Sequence, residues 1–599
     1  MIISSVVHEG GCTKMRFWMF TRIVIISLTG SLLQLAYADS DQPNIVLVLV
    51  DDAALMDFGA YGGEAHTPNI DALAQRGAMF THYRTSPLCA PSRAMLLTGL
   101  DNHLTGVATI PEVLPEEHVG QPGYTMALEP GILTIANRLK AAGYRTLMSG
   151  KWHMGSLPGD LPSDHGFDRS FALDASGADN WEDKSYMPFY ADAPWFEDGV
   201  AAELPDDFYS SEFIVDKMMS YIDEDSGAAP FFAYIGFQAI HIPVQAPAEF
   251  TQNYDGVYDK GWHALRDARH QEAIQLGLIP DGAQLAPMPD HARQWASLTD
   301  EDREVYAARM QVNAGMLEAM DHHLGRLVEH LKLNGTYDNT IFVVTSDNGP
   351  EPSRGDDDKR LKLWMRFNGY HLDKEGVGER GSWGFIGPEW ANAAASPGAL
   401  FKFYASEGGL RVPMIMAGPE IVPQRVASTS FVTDITPTLL EMAGAKDAGS
   451  AMTGRSLLPV LKGDAALTYG PDEAVGIEVS GNSAFYKGDF KITRNIAPVG
   501  DGNWRLYDLS VDPGEVSDLS QLMPEKMTEL LEGYANYTSV MGVLKMPEGY
   551  NSSQQMAANT QVKLQKRYGL KIVVAGLFLL ILVYGILRLG LRALRLIKG

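Results

Sequence analysis

The stretch Asn44-Ile45-Val46-Leu47-Val48-Leu49-Val50 decides the fold class, and it ends in Asp51-Asp52. A run of β-branched residues and Leu with no polar alternation is what a strand buried on both faces requires. Working outward, Thr67-Pro68-Asn69 opens a helix over 70–76, and further helices are expected over 132–142, 303–333 and 437–442. Apolar strand-like runs recur over 144–148, 230–236, 340–345 and 412–416, and the third of these leads into Ser346-Asp347-Asn348-Gly349. Strands alternating with helices predict an α/β fold around a large, mainly parallel (mixed) sheet flanked by helices.

The pattern changes near residue 466. Short strands over 476–479, 483–486, 490–493 and 504–508 are separated by turn signals such as Lys487-Gly488-Asp489, and a helix follows over 524–541. This predicts a small C-terminal antiparallel sheet covered by one helix. The chain therefore divides into a main α/β domain over 39–465, a subdomain over 466–546 and a polar linker over 547–570. Gly150-Lys151 is not a phosphate-binding loop, because Arg145 stands where the first glycine is needed and Trp152 replaces the Ser or Thr.

The two ends speak of location. Lys14, Arg16 and Arg22 precede an apolar stretch over 23–35, and Ala36-Tyr37-Ala38 is an A-x-A cleavage site. Residues 1–38 thus read as a secretory signal peptide, with an uncleaved anchor as the alternative. A second apolar segment, 571–588, is framed by Lys571 and Arg588, and the tail over 589–599 carries Arg592, Arg595 and Lys598. That pattern predicts a membrane-spanning helix with a basic cytoplasmic tail; an amphipathic surface helix is the alternative. The globular part would then be exported and face the periplasm or exterior.

Composition narrows the chemistry. Of 599 residues, 45% are hydrophobic and 20% charged, which excludes a disordered chain, a coiled coil and a polytopic membrane protein. An excess of 74 acidic over 48 basic residues, net −26, repels phosphate backbones and argues against a nucleic-acid partner. An anionic substrate would need a locally basic pocket. Only two cysteines are present, Cys12 and Cys89, too few for a disulfide scaffold or a cysteine zinc site.

Open α/β sheets bind ligands at the carboxyl ends of their strands. Asp51-Asp52 and Asp347-Asn348 end two apolar strands, so four hard oxygen donors can converge on a divalent cation of the Ca²⁺ or Mg²⁺ type. The plainer alternative is that each pair caps a helix or fills a turn. Cys89 lies in Cys89-Ala90-Pro91-Ser92-Arg93, just before an expected helix start beside Arg93, where an anion is stabilised. A buried structural cysteine is the bland reading.

Cys-x-Pro-Ser-Arg with Thr98-Gly99 downstream resembles the signature of type I sulfatases, within the alkaline phosphatase superfamily. The resemblance continues through 44–52, Gly150-Lys151-Trp152-His153, His241-Ile242-Pro243, Ser346-Asp347-Asn348-Gly349, Lys402 with Glu407-Gly408-Gly409-Leu410-Arg411-Val412-Pro413, and late motifs at 433–440 and 506–515. It runs in order from about residue 43 to 520 and is most similar to bacterial arylsulfatases. Phe401, Phe403 and Tyr404 depart from the small residues usual around the lysine.

The resemblance implies an alkaline-phosphatase-like fold, and a sulfuric ester hydrolase acting on a sulfated small molecule or glycan. It implies that a separate maturase oxidises Cys89 to formylglycine. It further implies that one divalent metal, Ca²⁺ first and Mg²⁺ as the alternative, is held by Asp51, Asp52, residue 89, Asp347 and Asn348. The hydrated aldehyde would attack sulfur, with Asp347 taking its proton, and form a sulfated enzyme intermediate. His241 or Lys402 would meet the leaving oxygen. His153 would accept the proton whose loss expels sulfate, and Arg93, Lys151 and Lys402 would face the sulfate oxygens. Two other readings stand beside this one: a phosphonate monoester or phosphodiester hydrolase on the same site, and a non-catalytic sulfated-glycan-binding protein. The aromatic residues Trp181, Tyr186, Phe189, Tyr190, Trp195 and Phe196 are equally placed to stack on a substrate ring or to form loop core.

Overall fold

The computed structural model describes residues 42–224, 227, 229–445 and 452–597. The expected signal peptide and Cys12 lie outside the described residues. A ten-stranded sheet forms the centre, in the spatial order Gln424–Val426, Ala78–Phe80, Met414–Ala417, Thr340–Ser346, Asn44–Val50, Phe231–Gly236, Arg145–Lys151, Arg169–Leu173, Trp195–Glu197 and Val200–Ala201. The five strands from Thr340–Ser346 to Arg169–Leu173 run parallel. Met414–Ala417 is antiparallel to its neighbours on both sides, and Trp195–Glu197 is antiparallel to Arg169–Leu173, so the sheet is mixed.

The Asn44–Val50 strand is buried along its whole length. Its alternate residues enter two different cores. Val46, Val48 and Val50 pack with Ile214, Met218, Leu317 and Leu324 of the helices Ser210–Asp223 and Asp300–Leu333. Ile45, Leu47 and Leu49 pack with Leu96, Leu97, Leu139 and Leu439, from helices on the opposite face. Side chains of a strand point alternately to its two faces, so an all-apolar strand requires helices on both.

The four C-terminal strands, Ala474–Val479, Asn482–Lys487, Phe490–Arg494 and Trp504–Asp508, form an antiparallel meander. Phe485, Ile492 and Leu506 pack under Leu530, Tyr534 and Tyr537 of the Pro524–Met541 helix. Ala484, Tyr486 and Tyr507 face the other way, onto Ala405, Leu410 and Phe431 of the main body. A buried charge network crosses this joint. Arg84 pairs with Glu407 at 2.8 Å, and Lys491 with Glu407 and Glu515 at 3.0 and 2.7 Å.

Several elements differ from the sequence expectation in their bounds. The helix expected from 132 starts at Ile135, because Thr134 caps it by accepting the Asn137 N–H. The stretch 547–570, read as a linker, is helical from Ser552 as part of one helix, Ser552–Ile597. Its polar side chains explain why it does not stand free. Asn559 Nδ2 donates to the carbonyls of Leu114 and Glu112 at 2.9 and 3.0 Å, and Arg567 donates to those of Tyr190 and Phe189 at 3.0 and 3.1 Å. The apolar window of this helix that is long enough to cross a membrane is Gly576–Leu594, a little beyond the 571–588 read from the sequence.

Candidate active site

Register explains why the chemistry-bearing residues meet. Val50 pairs with Ser346, so Asp51-Asp52 and Asp347-Asn348 leave adjacent strands at the same level. Leu49 pairs with Gly236, and Gly236 with Gly150, which brings Lys151 to that level from the far side of the Phe231–Gly236 strand. Gly150 is required there: its φ is +109°, and an added Cβ would lie 1.9 Å from the Gly236 carbonyl oxygen. Cys89 is the first residue of the Cys89–Thr98 helix, whose ten residues are all buried. Asp52 and His153 hold φ near +68° and +60°, left-handed conformations that cost energy in residues with a Cβ and recur at functional sites.

The side chains interlock. Arg93 donates from Nε and Nη2 to Asp347 Oδ2, and from Nη1 to the Lys151 carbonyl at 2.9 Å. Lys151 Nζ lies 2.5 Å from Asp51 Oδ2. Lys402 Nζ lies 2.7 Å from Asp52 Oδ1, and Asn348 Nδ2 donates to that same oxygen at 2.6 Å. His241 places Nδ1 2.6 Å from the Ile242 carbonyl. A carbonyl can only accept, so Nδ1 carries the proton. Nε2 lies 3.8 Å from Asp52 Oδ2.

Three buried oxygens in this cluster have no hydrogen-bond partner: Asp51 Oδ1, Asp52 Oδ2 and Asn348 Oδ1. Such orphans are costly in a protein interior. One ligand atom each from Asp51, Cys89 and Asp347 lie within 4.8 Å of one another, as do those of Asp51, Asp52 and His241. Unpartnered hard oxygens converging in a buried pocket fit a divalent cation of the calcium or magnesium kind.

Electrostatics follow from that crowding. Burial raises Asp347, and the Asp51 carboxylate adds to the rise. Burial and the Lys151 and Arg93 charges push His153 well below the usual histidine value, which keeps the imidazole neutral, and both its ring nitrogens are buried without a hydrogen-bond partner. Burial lowers His241 as well, helped by Lys402 and Lys151. The Cys89 thiol departs from the sequence expectation. Position beside a helix start and Arg93 was expected to favour an anion, but burial raises it to about 12, and the Lys151 and Lys402 charges do not offset that. An unmodified thiol here is neutral and a poor nucleophile.

One participant escaped the sequence reading. Glu351 sits 2.8 Å from Lys402 Nζ and accepts the Ser353 N–H at 2.9 Å. The signal was an acidic residue three positions beyond Asn348. Of the loop aromatics, Tyr186 abuts the site, its ring edge-on to His241 with centroids 5.2 Å apart. Trp195 stacks on Phe171 in the core, Trp181 packs on Tyr209, and Tyr190 donates to Glu112. Phe189 is buried beneath Lys563.

A mixed ten-stranded sheet with a separate four-stranded antiparallel sheet is an alkaline-phosphatase-like fold. The sulfatase family model matches residues 43–445, and that of the N-sulphoglucosamine sulphohydrolase C-terminal region matches 398–533. The chain is 35% identical to an arylsulfatase of Klebsiella aerogenes over 71% of this chain and 91% of that protein. It is 34% identical to an uncharacterised sulfatase of Schizosaccharomyces pombe over 86% and 96%. A crystal structure of Ps i-CgsB in complex with a neocarrahexaose shares the fold, with a TM-score of 0.60 at 22% identity over 88% of this chain and 99% of that one. The chain belongs to the sulfatase family and is a sulfuric ester hydrolase. Membership implies a metal and a formylglycine at this site.

Proposed function

We propose that the chain hydrolyses sulfate esters of the aryl type, using formylglycine made from Cys89 and one divalent metal, calcium in preference to magnesium. The observation that carries this reading is the convergence of residue 89 with three orphaned oxygens and three cationic side chains in one buried pocket. Asp51, Asp52, Asp347 and Asn348 would hold the cation. A cage made largely of protein oxygens suits calcium better than magnesium, which keeps several waters. When bound, the metal supplies Lewis acidity and lowers the proton affinity of a hydroxyl. Formylglycine supplies, as its hydrate, one hydroxyl to attack sulfur and a second whose deprotonation releases sulfate.

The chain's own residues do the rest. Asp347, which has a carboxylate oxygen within 4.8 Å of the residue 89 side chain, would accept the first proton. Lys151 and Arg93, held by Asp51 and Asp347, set positive charge beside the sulfate oxygens. Lys402 meets charge developing on the leaving oxygen, with His241 Nε2 on the same flank. His153, kept neutral, accepts the proton of the second hydroxyl. A leader over 1–38 and a membrane-spanning C-terminal helix would place the catalytic body outside the cytoplasm.

The test pairs peptide mass spectrometry across residue 89 with turnover of an aryl sulfate and an aryl phosphate diester. The expected result is the aldehyde at residue 89, faster sulfate hydrolysis, and loss of turnover in Cys89→Ala. Preference for the phosphate diester would favour the phosphonate and phosphodiester hydrolase reading. Full activity in Cys89→Ala would end the mechanism.

A further inference from the structure

Lys402 has two carboxylate partners that are not equivalent. Asp52, 2.7 Å away, belongs to the oxygen cluster; its Oδ1 is shared with Asn348 and its Oδ2 is orphaned. Glu351 lies 2.8 Å away and stands three residues beyond Asn348 in the sequence. It lines a small cavity with Asp52, Ile240, Ile242, Val244 and Ile386, and its second oxygen accepts the Ser353 N–H. Both Glu351 and Lys402 are buried. An ammonium has three N–H donors, and these two contacts use two of them. The third remains for the site.

We propose that Glu351 is a positioning residue, which anchors the Lys402 ammonium so that its remaining donor meets the leaving oxygen of the ester. The inference rests on the reading of Lys402 as the group that faces that oxygen. When Asp52 turns its charge to a cation, Glu351 is the carboxylate that still restrains a flexible four-carbon side chain. In the step concerned, the nucleophile oxygen of residue 89 would bond to sulfur as the ester S–O bond breaks, and the electron pair of the broken bond goes to the departing oxygen. The new negative charge is met by one Lys402 N–H, while Glu351 accepts another and neither gains nor loses a proton.

The experiment measures kcat and KM for a series of aryl sulfates, from nitrophenyl to unsubstituted phenyl, with wild type, Glu351→Gln, Glu351→Asp, Lys402→Ala and the double variant Glu351→Gln/Lys402→Ala. Activity of the wild type on these esters tests the sulfatase reading first and separately. Glu351→Gln is expected to lower kcat for phenyl sulfate by about 10- to 100-fold, and for the nitrophenyl ester only a few-fold, with KM little changed. Glu351→Asp is expected to recover part of the loss, and Glu351→Gln is expected to cost nothing further once Lys402 is alanine. An equal loss across the series, a change confined to KM, or full additivity in the double variant would overturn the proposal. Should Glu351→Gln fail to fold, the same leaving-group dependence read in Glu351→Asp decides the matter.

Discussion

Arg93 spends its guanidinium on Asp347: Nε and Nη2 both donate to Oδ2, at 3.0 and 2.7 Å. Oδ1 of the same carboxylate accepts the Asp52 N–H at 3.2 Å. The signature arginine is thus bound to a carboxylate proposed to hold the cation, as well as standing beside the proposed sulfate position. A lysine has no planar fork with which to repeat that contact. Arg93→Lys is therefore expected to lower kcat/KM by about 10²- to 10³-fold and to weaken metal retention. Arg93→Ala is expected to cost about 3–5 kcal/mol of stability, because it leaves a buried carboxylate unpaired. Wild-type metal content in Arg93→Lys, measured after dialysis, would show that Asp347 does not depend on this contact.

Metal removal tests the oxygen cluster directly. Asp51, Asp52 and Asp347 lie close together in the interior, and their mutual repulsion is relieved when a cation binds. Chelator-treated protein is expected to melt at a lower temperature and to recover on adding back calcium. At a free-metal concentration a hundredfold above Kd the gain is about 2.7 kcal/mol. Magnesium is expected to restore less at equal concentration. A melting temperature indifferent to chelation would contradict a cation at these residues.

His103 links the body to the C-terminal sheet, with Nδ1 2.9 Å from Asp101 and Nε2 2.8 Å from Glu478. Burial pulls the imidazole toward neutrality, but the two carboxylates, Asp101 first, raise it to about 9. Its stabilisation is complete below the ordinary histidine value of about 6.5 and is lost as pH rises through about 9. The stability gap between wild type and His103→Gln is expected to shrink across that interval. Denaturant titrations at a set of pH values would show it, and a constant gap would mean that His103 is neutral throughout.

The first turns of the C-terminal helix are held to the body by side chains that grip loop carbonyls. Arg567 reaches those of Phe189 and Tyr190, Asn559 those of Glu112 and Leu114, and Tyr550 that of Val113. Arg567→Ala combined with Asn559→Ala removes several such contacts, the charged ones worth about 1.5–3 kcal/mol each. Limited proteolysis is expected to cut the 547–570 segment faster in this variant, while turnover of a small aryl sulfate stays within about twofold of wild type. Unchanged protection would mean that the helix is held by other contacts.

The parallel core was legible because its signal is local. A seven-residue apolar strand and the helices around it announce themselves through composition and periodicity, and the acidic strand ends follow directly. Motif residues near the end of the chain were harder to place. Glu407 and Glu515 read as parts of family motifs, yet the fold puts them in a buried network with Arg84 and Lys491 that fastens the two sheets together. Asp434 likewise accepts the Arg455 N–H and the Tyr469 hydroxyl. Such pairings join residues tens to hundreds of positions apart, and no periodicity records them.

Chain order alone was enough to establish the α/β class, the C-terminal meander and the acidic and amide residues that end two of the sheet strands, because strand and helix patterning and donor chemistry are properties of residues and their near neighbours. Strand register, the neutral state of the Cys89 thiol, the recruitment of Glu351 to Lys402 and the docking of 552–570 came only with the folded structure. Each of these depends on distances between segments remote in sequence and on how thoroughly water is removed from between them, and burial of that kind is fixed only when the whole chain has packed.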